Sequence, residues 1–246
     1  MQTKVVWFSF LILIFASPAS GGDWRATPFE LYAGIGTVSY FGDIGGSADE
    51  NTWYGIKDLD ILRSRPGIMA GLRYFASDYV GVSGSLALGW LSGNDTGGRN
   101  EERGYIFNTI IFEPLARIEF FPVRDFMLLR GVNRQGLVRN YGTFSAYLFA
   151  GAGAVIYHVM PNENLRERQK RDNIEHGMVT MVLPAGVGVK LGLSNRIDIG
   201  FEIGGRYALN DYLDGFTSPF ASSNDIYYLT TVQLIFRLPG IGPGDI

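Results

Sequence analysis

The clearest pattern in the sequence is a regular alternation of apolar and polar residues between Leu183 and Tyr207. Apolar side chains occupy every second position of two arms: Val187, Val189, Leu191 and Leu193, then Ile197, Ile199, Phe201 and Ile203. Glycine and charged residues fill the positions between them. Because successive side chains lie on opposite faces of a strand, this pattern predicts a β-hairpin that turns at Ser194 and Asn195. Such a hairpin fits either a soluble sandwich or a transmembrane barrel.

Six further segments show strand-like patterning. They cover residues 29–40, 67–76, 79–91, 105–121, 143–158 and 225–236. The fourth contains Pro114, which predicts a bulge or a local break. The outward face of the fifth strand is ambiguous, because both of its faces are apolar. With the hairpin, the pattern predicts eight strands of about the length that a tilted membrane strand requires.

The connections between the predicted strands alternate in length. Four are long and polar, at residues 42–65, 92–103, 160–177 and 210–224, whereas the turns at Ser77-Asp78 and Ser194-Asn195 are tight. Long outer loops and short periplasmic turns are typical of outer-membrane barrels. Only the connection from Pro122 to Gly142 departs from this rule.

Aromatic residues collect at both ends of the predicted strands. Beside the long loops are Tyr40, Trp90, Tyr105, Tyr157, Tyr207 and Tyr227, and at the opposite ends are Phe29, Tyr74, Tyr79, Phe120 and Phe236. Rings of aromatic residues at the two membrane interfaces are typical of transmembrane barrels. Ordinary core aromatics are the alternative interpretation.

The first 20 residues decide between a sandwich and a barrel. Lys4 precedes an apolar run over residues 5–15, and small residues from Ala16 to Ser20 follow. This arrangement predicts a secretory signal peptide, residues 1–20, and the run is too short for a membrane helix. An exported chain with period-two patterning favours an all-β fold. We therefore predict an eight-stranded antiparallel transmembrane β-barrel over residues 21–246, in the bacterial outer membrane with both termini in the periplasm.

Composition supports this interpretation and excludes several classes of protein. The 246 residues include 33 glycines and no cysteine, which excludes a lipoprotein anchor and a disulfide framework. The aromatic share of 14% is high and the charged share of 18% is low for an ordinary soluble domain. A net charge of -3 argues against nucleic acid as a partner, and outer-membrane lipid is the expected surrounding.

The inward positions of the predicted strands carry charges of both signs. They are Arg73, Glu113, Arg117, Glu119, Lys190, Arg196, Asp198, Glu202 and Arg206. An eight-stranded barrel is too narrow for an open pore, so these side chains are expected to pair within the lumen. A catalytic carboxylate pair is the alternative, but structural pairing explains the balance of signs better.

Other candidate sites are weaker. His158 and His176 flank one long loop, yet no metal-ligand spacing surrounds them, so no metal site is predicted. Ser145 and His158 lie near opposite ends of one strand, which is poor geometry for a nucleophile and its base. Gly34-x-Gly36 lacks the third glycine and the helix of a dinucleotide site. The sequence thus predicts neither a cofactor nor an enzyme.

Four stretches together resemble the PorG-like outer-membrane barrels of Bacteroidetes. They are Glu30 to Gly36 leading into Tyr40-Phe41-Gly42-Asp43-Ile44, Leu115 to Pro122, Tyr147 to Gly153, and Ser223 to Tyr228. The resemblance covers nearly the whole mature chain. It implies an association with the type IX protein secretion machinery, in which this family contacts periplasmic ring components. The tail from Arg237 to Ile246 departs from barrels that end on a terminal aromatic residue.

Three functions therefore compete. The resemblance favours a non-enzymatic accessory component of the type IX machinery. The second is a standalone structural, adhesin-like or small-solute barrel, and the third a lipid-acting enzyme. The exceptional connection from Pro122 to Gly142 bears on the first, because it carries Arg124, Arg130, Arg134 and Arg139. It is either a lid that tucks its apolar residues 126–129 under the barrel or a docking surface for an acidic periplasmic partner.

Overall fold

The protein forms a closed barrel in which all eight predicted strands are present. The computed structural model describes residues 28–41, 44, 64–95, 101–132, 138–171, 178–194, 196–216 and 224–238, and only the backbone of 127–132 and 138–141. Each strand pairs antiparallel with the next, and β8 closes the sheet onto β1. The bounds are β1 Phe29–Phe41, β2 Arg65–Phe75, β3 Val80–Asn94, β4 Ile106–Val132, β5 Val138–Pro161, β6 Val179–Gly192, β7 Ile197–Ala208 and β8 Ile226–Leu238. The predicted signal peptide and His176 lie outside the described residues.

The wall of the barrel is apolar on its outer face. Large exposed apolar side chains surround it, among them Leu31, Ile35, Ile68, Leu72, Leu86, Ile118, Val187, Val189, Ile199, Phe201, Val232 and Leu234. A closed sheet leaves no unpaired backbone edge in the wall, and its apolar surface matches lipid rather than water. The chain is therefore an outer-membrane barrel, as its alternating pattern predicts.

The two ends of the barrel differ, and we name them by their connections. The turn end is where β1 begins and β8 ends, and it carries the short connections after β2 and β6. The loop end carries the four long connections. One of these contains α1, Glu163–Arg171, which the sequence pattern did not predict. Among the described residues, no helix is long and apolar enough to cross a membrane.

The largest departure from prediction is the segment from Pro122 to Gly142. It is not an irregular connection, because β4 and β5 continue through it as a two-stranded hairpin that ends at the pair Val132 and Val138. The register shifts between Phe120 and Val123 and again between Val123 and Phe126. Bulges of this kind increase local twist and bend a strand. We call the part from Phe126 to Val132 and from Val138 to Phe144 the ribbon.

Pro114 interrupts the sheet only on one side. The ladder between β4 and β5 pairs Phe112 with Ile156 and resumes at Leu115 with Gly153, with the same register. Pairing with β3 is continuous through Leu86 and Pro114. The predicted local break is therefore present without a bulge, as expected where proline removes one backbone donor.

The ambiguous face of the fifth strand is resolved by its aromatic residues. Tyr147, Phe149 and Tyr157 are buried in the lumen, whereas Leu148 and Ile156 are exposed on the wall. The predicted aromatic girdle is correspondingly wrong in part. Tyr157 and Tyr227 point inward, and Tyr40 donates a hydrogen bond to the buried Asp225, whereas Trp90 and Tyr207 are exposed on the wall. A tyrosine whose hydroxyl has a hydrogen-bond partner inside the barrel points inward and does not contribute to the girdle.

Candidate functional site

A continuous network of ion pairs fills the lumen on the side of the turn end. At its centre the Arg73 guanidinium donates from Nη1 to Glu30 Oε2 at 2.5 Å and from Nε to Glu119. The Arg73 guanidinium also lies over the ring of Tyr147, 4.9 Å from its centroid. Arg73 is completely buried, so its charge is stable only because two carboxylates face it.

Arg117 extends this network toward the middle of the barrel. It donates from Nη1 to Glu202 Oε1 at 2.7 Å and from Nε to Ser83 Oγ at 2.9 Å. Its Nε also lies 3.0 Å from Glu119 Oε1. Glu202 accepts a further hydrogen bond from the Tyr147 hydroxyl at 2.8 Å. Arg117, Ser83, Glu202 and Tyr147 therefore bind one another inside the lumen.

Lys190 carries the network toward the rim of the turn end. Its Nζ donates to Glu30 Oε1 at 2.6 Å and lies 3.7 Å from Asp198 Oδ2. Asp198 in turn accepts from Arg237 Nε at 2.9 Å, and Arg237 Nη2 donates to Asp125 Oδ1 at 2.7 Å. Asp125 lies where β4 leaves the barrel and continues with β5 as the projecting hairpin. A single chain of charges thus connects the lumen to that hairpin.

A smaller cluster occupies the lumen nearer the loop end. Arg206 Nε donates to Glu113 Oε1 at 3.4 Å, and Arg206 Nη1 donates to the carbonyl of Gly204 at 2.7 Å. The Tyr227 hydroxyl donates to the same Glu113 carboxylate. Both charged side chains are buried, so this pair also serves to fill the lumen.

Inward glycines make the room that the luminal rings occupy. A Cβ on Gly188 would overlap the Tyr147 ring, and one on Gly204 would lie 2.6 Å from Phe149 Cζ. Both distances are far below van der Waals contact. The glycines that alternate with apolar residues on β6 and β7 therefore give space to aromatic side chains from β5.

The eight charges predicted for the lumen, Arg73, Glu113, Arg117, Glu119, Lys190, Asp198, Glu202 and Arg206, are all buried, and each takes part in an ion pair. Arg196, predicted with them, is instead exposed beside the turn between β6 and β7. Sequence reasoning missed Glu30 and Arg237. Glu30 precedes Tyr32, Gly34 and Gly36 on every second position, and this alternation was the available signal.

The loop end is closed by a packed cap. Ile44, Phe107, Leu165, Leu213 and Phe216 are buried there in one apolar cluster. Thr109 Oγ1 donates to the carbonyl of Leu213 at 2.7 Å, and Gln169 Nε2 donates to that of Gly215 at 2.7 Å. Side chains thus fill the barrel at this end as well.

The helix α1 is the part of the cap that the sequence could have revealed. Asn162 caps α1, since its Oδ1 accepts from the amide of Leu165 at 3.1 Å. Asn followed by Glu163 is a recognisable helix start, although the surrounding charges resemble a loop. Leu165 anchors the helix in the apolar cluster, and Arg166, Lys170 and Arg171 remain exposed.

Within the described part of the chain, the serine and the histidine considered for a lipid-acting enzyme lie far apart. Ser145 is buried and accepts a hydrogen bond from the amide of Asp125, while His158 is exposed on the other face of β5. The thirteen-residue separation along β5 places them about 40 Å apart. Among the described residues, no group of three or more metal-ligating side chains comes together.

The start of the projecting hairpin is held firmly against the barrel. Asp125 adopts a positive φ of 49°, and its amide donates to Ser145 Oγ at 3.0 Å. Arg124 turns into the mouth of the barrel, where its guanidinium lies 3.7 Å from the centroid of the Phe75 ring. Its Nη1 is 3.8 Å from Asp78 Oδ1. The Arg124 side chain is therefore partly buried at the mouth of the barrel and does not extend into water.

The ribbon itself departs from the lid interpretation where its side chains are described. The Phe126 side chain is 63% exposed rather than tucked under the barrel. Arg130 and Arg139 lie on the paired strands of the ribbon, opposite Asn140 and Gly131. Their side chains, and Arg134 altogether, lie outside the described residues.

One protein family matches the chain. The family described as a domain of unknown function, DUF6089, matches residues 91–233, which is more than half of the chain. The chain belongs to the DUF6089 family. The matched region runs from β3 to β8 and includes the projecting hairpin, so that hairpin lies within the family domain. None of the curated proteins matches the sequence.

Several solved structures are similar to the chain. Neisserial surface protein A is 7% identical, with a TM-score of 0.48, over 87% of this chain and 99% of that one. OprG of Pseudomonas aeruginosa is 11% identical, with a TM-score of 0.43 and coverages of 87% and 98%. Ail of Yersinia pestis is 12% identical, with a TM-score of 0.38 and coverages of 85% and 96%. The fold assignment rests on the strand pairing of the chain itself.

Proposed function

We propose that this outer-membrane barrel is a non-enzymatic accessory component of the type IX protein secretion machinery. The proposal starts from the resemblance of four stretches of its sequence to PorG-like barrels. The structural observation that carries it is the hairpin of β4 and β5, which projects past the neighbouring strands at the turn end. A lumen filled by paired charges supports a role in contacts rather than in conduction.

The orientation of the barrel follows from its connections. Short turns of outer-membrane barrels face the periplasm and long loops face the outside. On this basis we propose that the turn end, both termini and the ribbon are in the periplasm. Periplasmic ring components of the secretion machinery would then meet the ribbon first.

The three arginines between Phe126 and Gly142 are the proposed contact groups. Arg130, Arg134 and Arg139 occur with no acidic residue between Phe126 and Gly142. Arginine binds carboxylates through two parallel hydrogen bonds, and clustered charge of one sign accelerates encounter with the opposite sign. Arg124 is excluded from this role, because it already packs against Phe75 and faces Asp78.

A deletion strain tests the proposed function directly. Secretion of type IX substrates should fail in the strain and return with the parent gene. Complementation with Arg130→Glu, Arg134→Glu and Arg139→Glu together should leave secretion impaired and abolish co-purification of the ring components. Normal secretion in the deletion strain would show that the proposal is wrong.

The chain offers a matched control at the opposite end of the barrel. Arg166→Glu, Lys170→Glu and Arg171→Glu make the same change of charge on the exposed face of α1. This control should restore secretion and retain co-purification. Both triple variants should keep the heat-modifiable gel shift of a folded barrel.

A standalone adhesin-like role is the second candidate, and the ordered cap at the loop end favours it. There α1 packs on the buried apolar cluster and presents an ordered outer face. In this case the deletion strain would secrete normally but lose surface attachment, and the α1 variant would reproduce that loss.

A further inference from the structure

The ribbon has an open strand edge. On the β3 side, β4 is paired down to Phe120 with Val80, and the amide of Phe121 donates to the carbonyl of Tyr79. Among the described strands, none pairs with β4 beyond that point on this side. The backbone from Phe126 to Val132 is nevertheless extended and paired with β5. The edge is seven residues, about 23 Å, long, and the amides and carbonyls of its alternate residues face the side on which no described strand pairs.

The edge is held in place at its base. The Asp125 carboxylate binds Arg237 Nη2 at 2.7 Å, which ties β4 to the end of β8. The amide of the same residue donates to Ser145 Oγ, which ties it to β5. A strand that is already extended and anchored loses little conformational freedom when a second strand pairs with it.

The charge of the segment from Phe126 to Gly142 determines which kind of strand can pair with the edge. It carries three arginines and no carboxylate between Phe126 and Gly142. Charged residues at a strand edge discourage neutral or like-charged strands from pairing with it. A second copy of this chain would bring an equally basic segment to the edge, so repulsion disfavours it. An acidic strand would meet opposite charge.

We propose that the edge of β4 from Phe126 to Val132 binds an extended, acidic segment of a periplasmic protein by β-strand addition. Main-chain hydrogen bonds to the open edge supply the binding, and carboxylates of the added strand supply specificity toward the arginines. The proposal takes from the proposed function only the position of the ribbon in the periplasm. It goes further by naming the backbone as the binding element.

Synthetic strands provide a direct test with the full chain refolded in detergent. The probe is a labelled peptide of alternating valine and glutamate that covers seven strand positions, and binding is followed by fluorescence anisotropy. A peptide of alternating valine and lysine is the charge control. The glutamate peptide should bind at least about tenfold more tightly, and Arg130→Glu with Arg139→Glu should reverse the preference.

N-methylation separates strand pairing from attraction between charges. In an added strand the amides of alternate residues point toward the edge and form hydrogen bonds with it. Methylating only the glutamate amides or only the valine amides therefore removes these hydrogen bonds in one peptide and not in the other. One methylated peptide should lose at least about tenfold in affinity and the other should bind nearly as the parent does. Equal affinity of the two methylated peptides would overturn strand addition.

A variant without the ribbon completes the test. Replacing residues 128–142 by Asn-Gly joins Met127 to Thr143, which are already paired, through a two-residue turn. This short-ribbon variant should keep the heat-modifiable gel shift and lose all peptide binding. Retained binding would show that the edge is not the site. A dimer formed by the parent but not by the short-ribbon variant would assign the edge to a second copy, and the proposal would be wrong.

Secretion and peptide binding are measured separately. If the peptide binds and the deletion strain secretes normally, the strand-binding edge is supported and the proposed role in secretion is wrong. If secretion is lost and the peptide does not bind, the role in secretion is supported and strand addition is wrong.

Discussion

Two hairpins of the same barrel differ in what happens where the membrane-spanning part ends. The hairpin of β6 and β7 stops at the rim, with its last pair at Gly192 and Asp198 and a short turn beyond. The hairpin of β4 and β5 continues past its neighbours to the pair Val132 and Val138. Both contribute charges to the lumen, so they follow the same rules within the barrel.

The difference shows which part of the sequence pattern belongs to the membrane. Between lipid and lumen, each strand must alternate, and β6 does so to its last residue. Beyond the rim, β4 has four consecutive apolar residues from Phe126 to Leu129 followed by Arg130, which no membrane strand requires. The sequence of the extension is therefore not explained by barrel formation.

The largest expected effect comes from the charges that the two hairpins share in the lumen. Arg117→Met removes the single cation that pairs with Glu202 at 2.7 Å and also with Glu119. Leaving a buried carboxylate without its partner should lower the free energy of unfolding by about 3–5 kcal/mol. Equilibrium unfolding in denaturant measures it. Arg196→Met, at the exposed turn, should change the value by less than about 0.5 kcal/mol, and equal losses would contradict the network.

The next effect concerns the lipid-facing side of β6 and β7. Val187→Arg or Phe201→Arg puts a charge on the exposed apolar wall away from the rim and should cost about 2–4 kcal/mol. Leu193→Arg, beside the turn at the rim, should cost only about 0–1 kcal/mol. The comparison requires folding into lipid vesicles. If all three variants are as stable as the parent, the assignment of the outer face is wrong.

A smaller effect is expected from the fit between these two hairpins. Gly188→Ala directs a methyl group into the ring of Tyr147, its partner on the neighbouring strand β5, and should destabilise the barrel by about 1–3 kcal/mol. Gly84→Ala is the matched control, because its nearest heavy atom would be 3.9 Å away. That variant should be as stable as the parent or slightly more stable. Indistinguishable thermal unfolding of the two would refute the proposed role of the inward glycines.

The smallest effect should come from the ribbon. The short-ribbon variant keeps Asp125 and its contacts with Arg237 and Ser145. Its free energy of unfolding should therefore stay within about 0.5 kcal/mol of that of the parent. A loss of several kcal/mol would mean that the extension is part of the barrel after all and would remove the contrast between the hairpins.

The sequence predicts well what local alternation determines. Val187, Val189 and Leu191 can face only one way, and the charges between the apolar positions of β7 can face only the other. The same reasoning locates most luminal charges. It fails for β5, where Tyr147 and Phe149 face inward because glycines on β6 and β7 leave space for them. That space depends on neighbours far away in the chain.

Tyrosines mark a second limit of sequence reasoning. Tyr40 and Tyr227 occupy strand ends as girdle residues would, but their hydroxyls bind Asp225 and Glu113 inside the barrel. A tyrosine at a strand end is equally suited to the interface and to a buried acceptor. The extension of β4 was missed for a different reason, since Pro122, arginines and unalternated apolar residues together resemble a loop.

The luminal network also bears on how the chain enters the membrane. Every strand contributes to it: Glu30 from β1, Arg73 from β2, Ser83 from β3, Arg117 from β4, Tyr147 from β5, Lys190 from β6, Asp198 and Glu202 from β7, and Arg237 from β8. A hairpin inserted alone would bring its charges into lipid without their partners, at a high cost. Insertion one hairpin at a time is therefore unfavourable for this chain. We expect the barrel to enter the bilayer only as the strands that carry these polar groups come together. Pairing of β8 with β1 is then the step after which insertion proceeds.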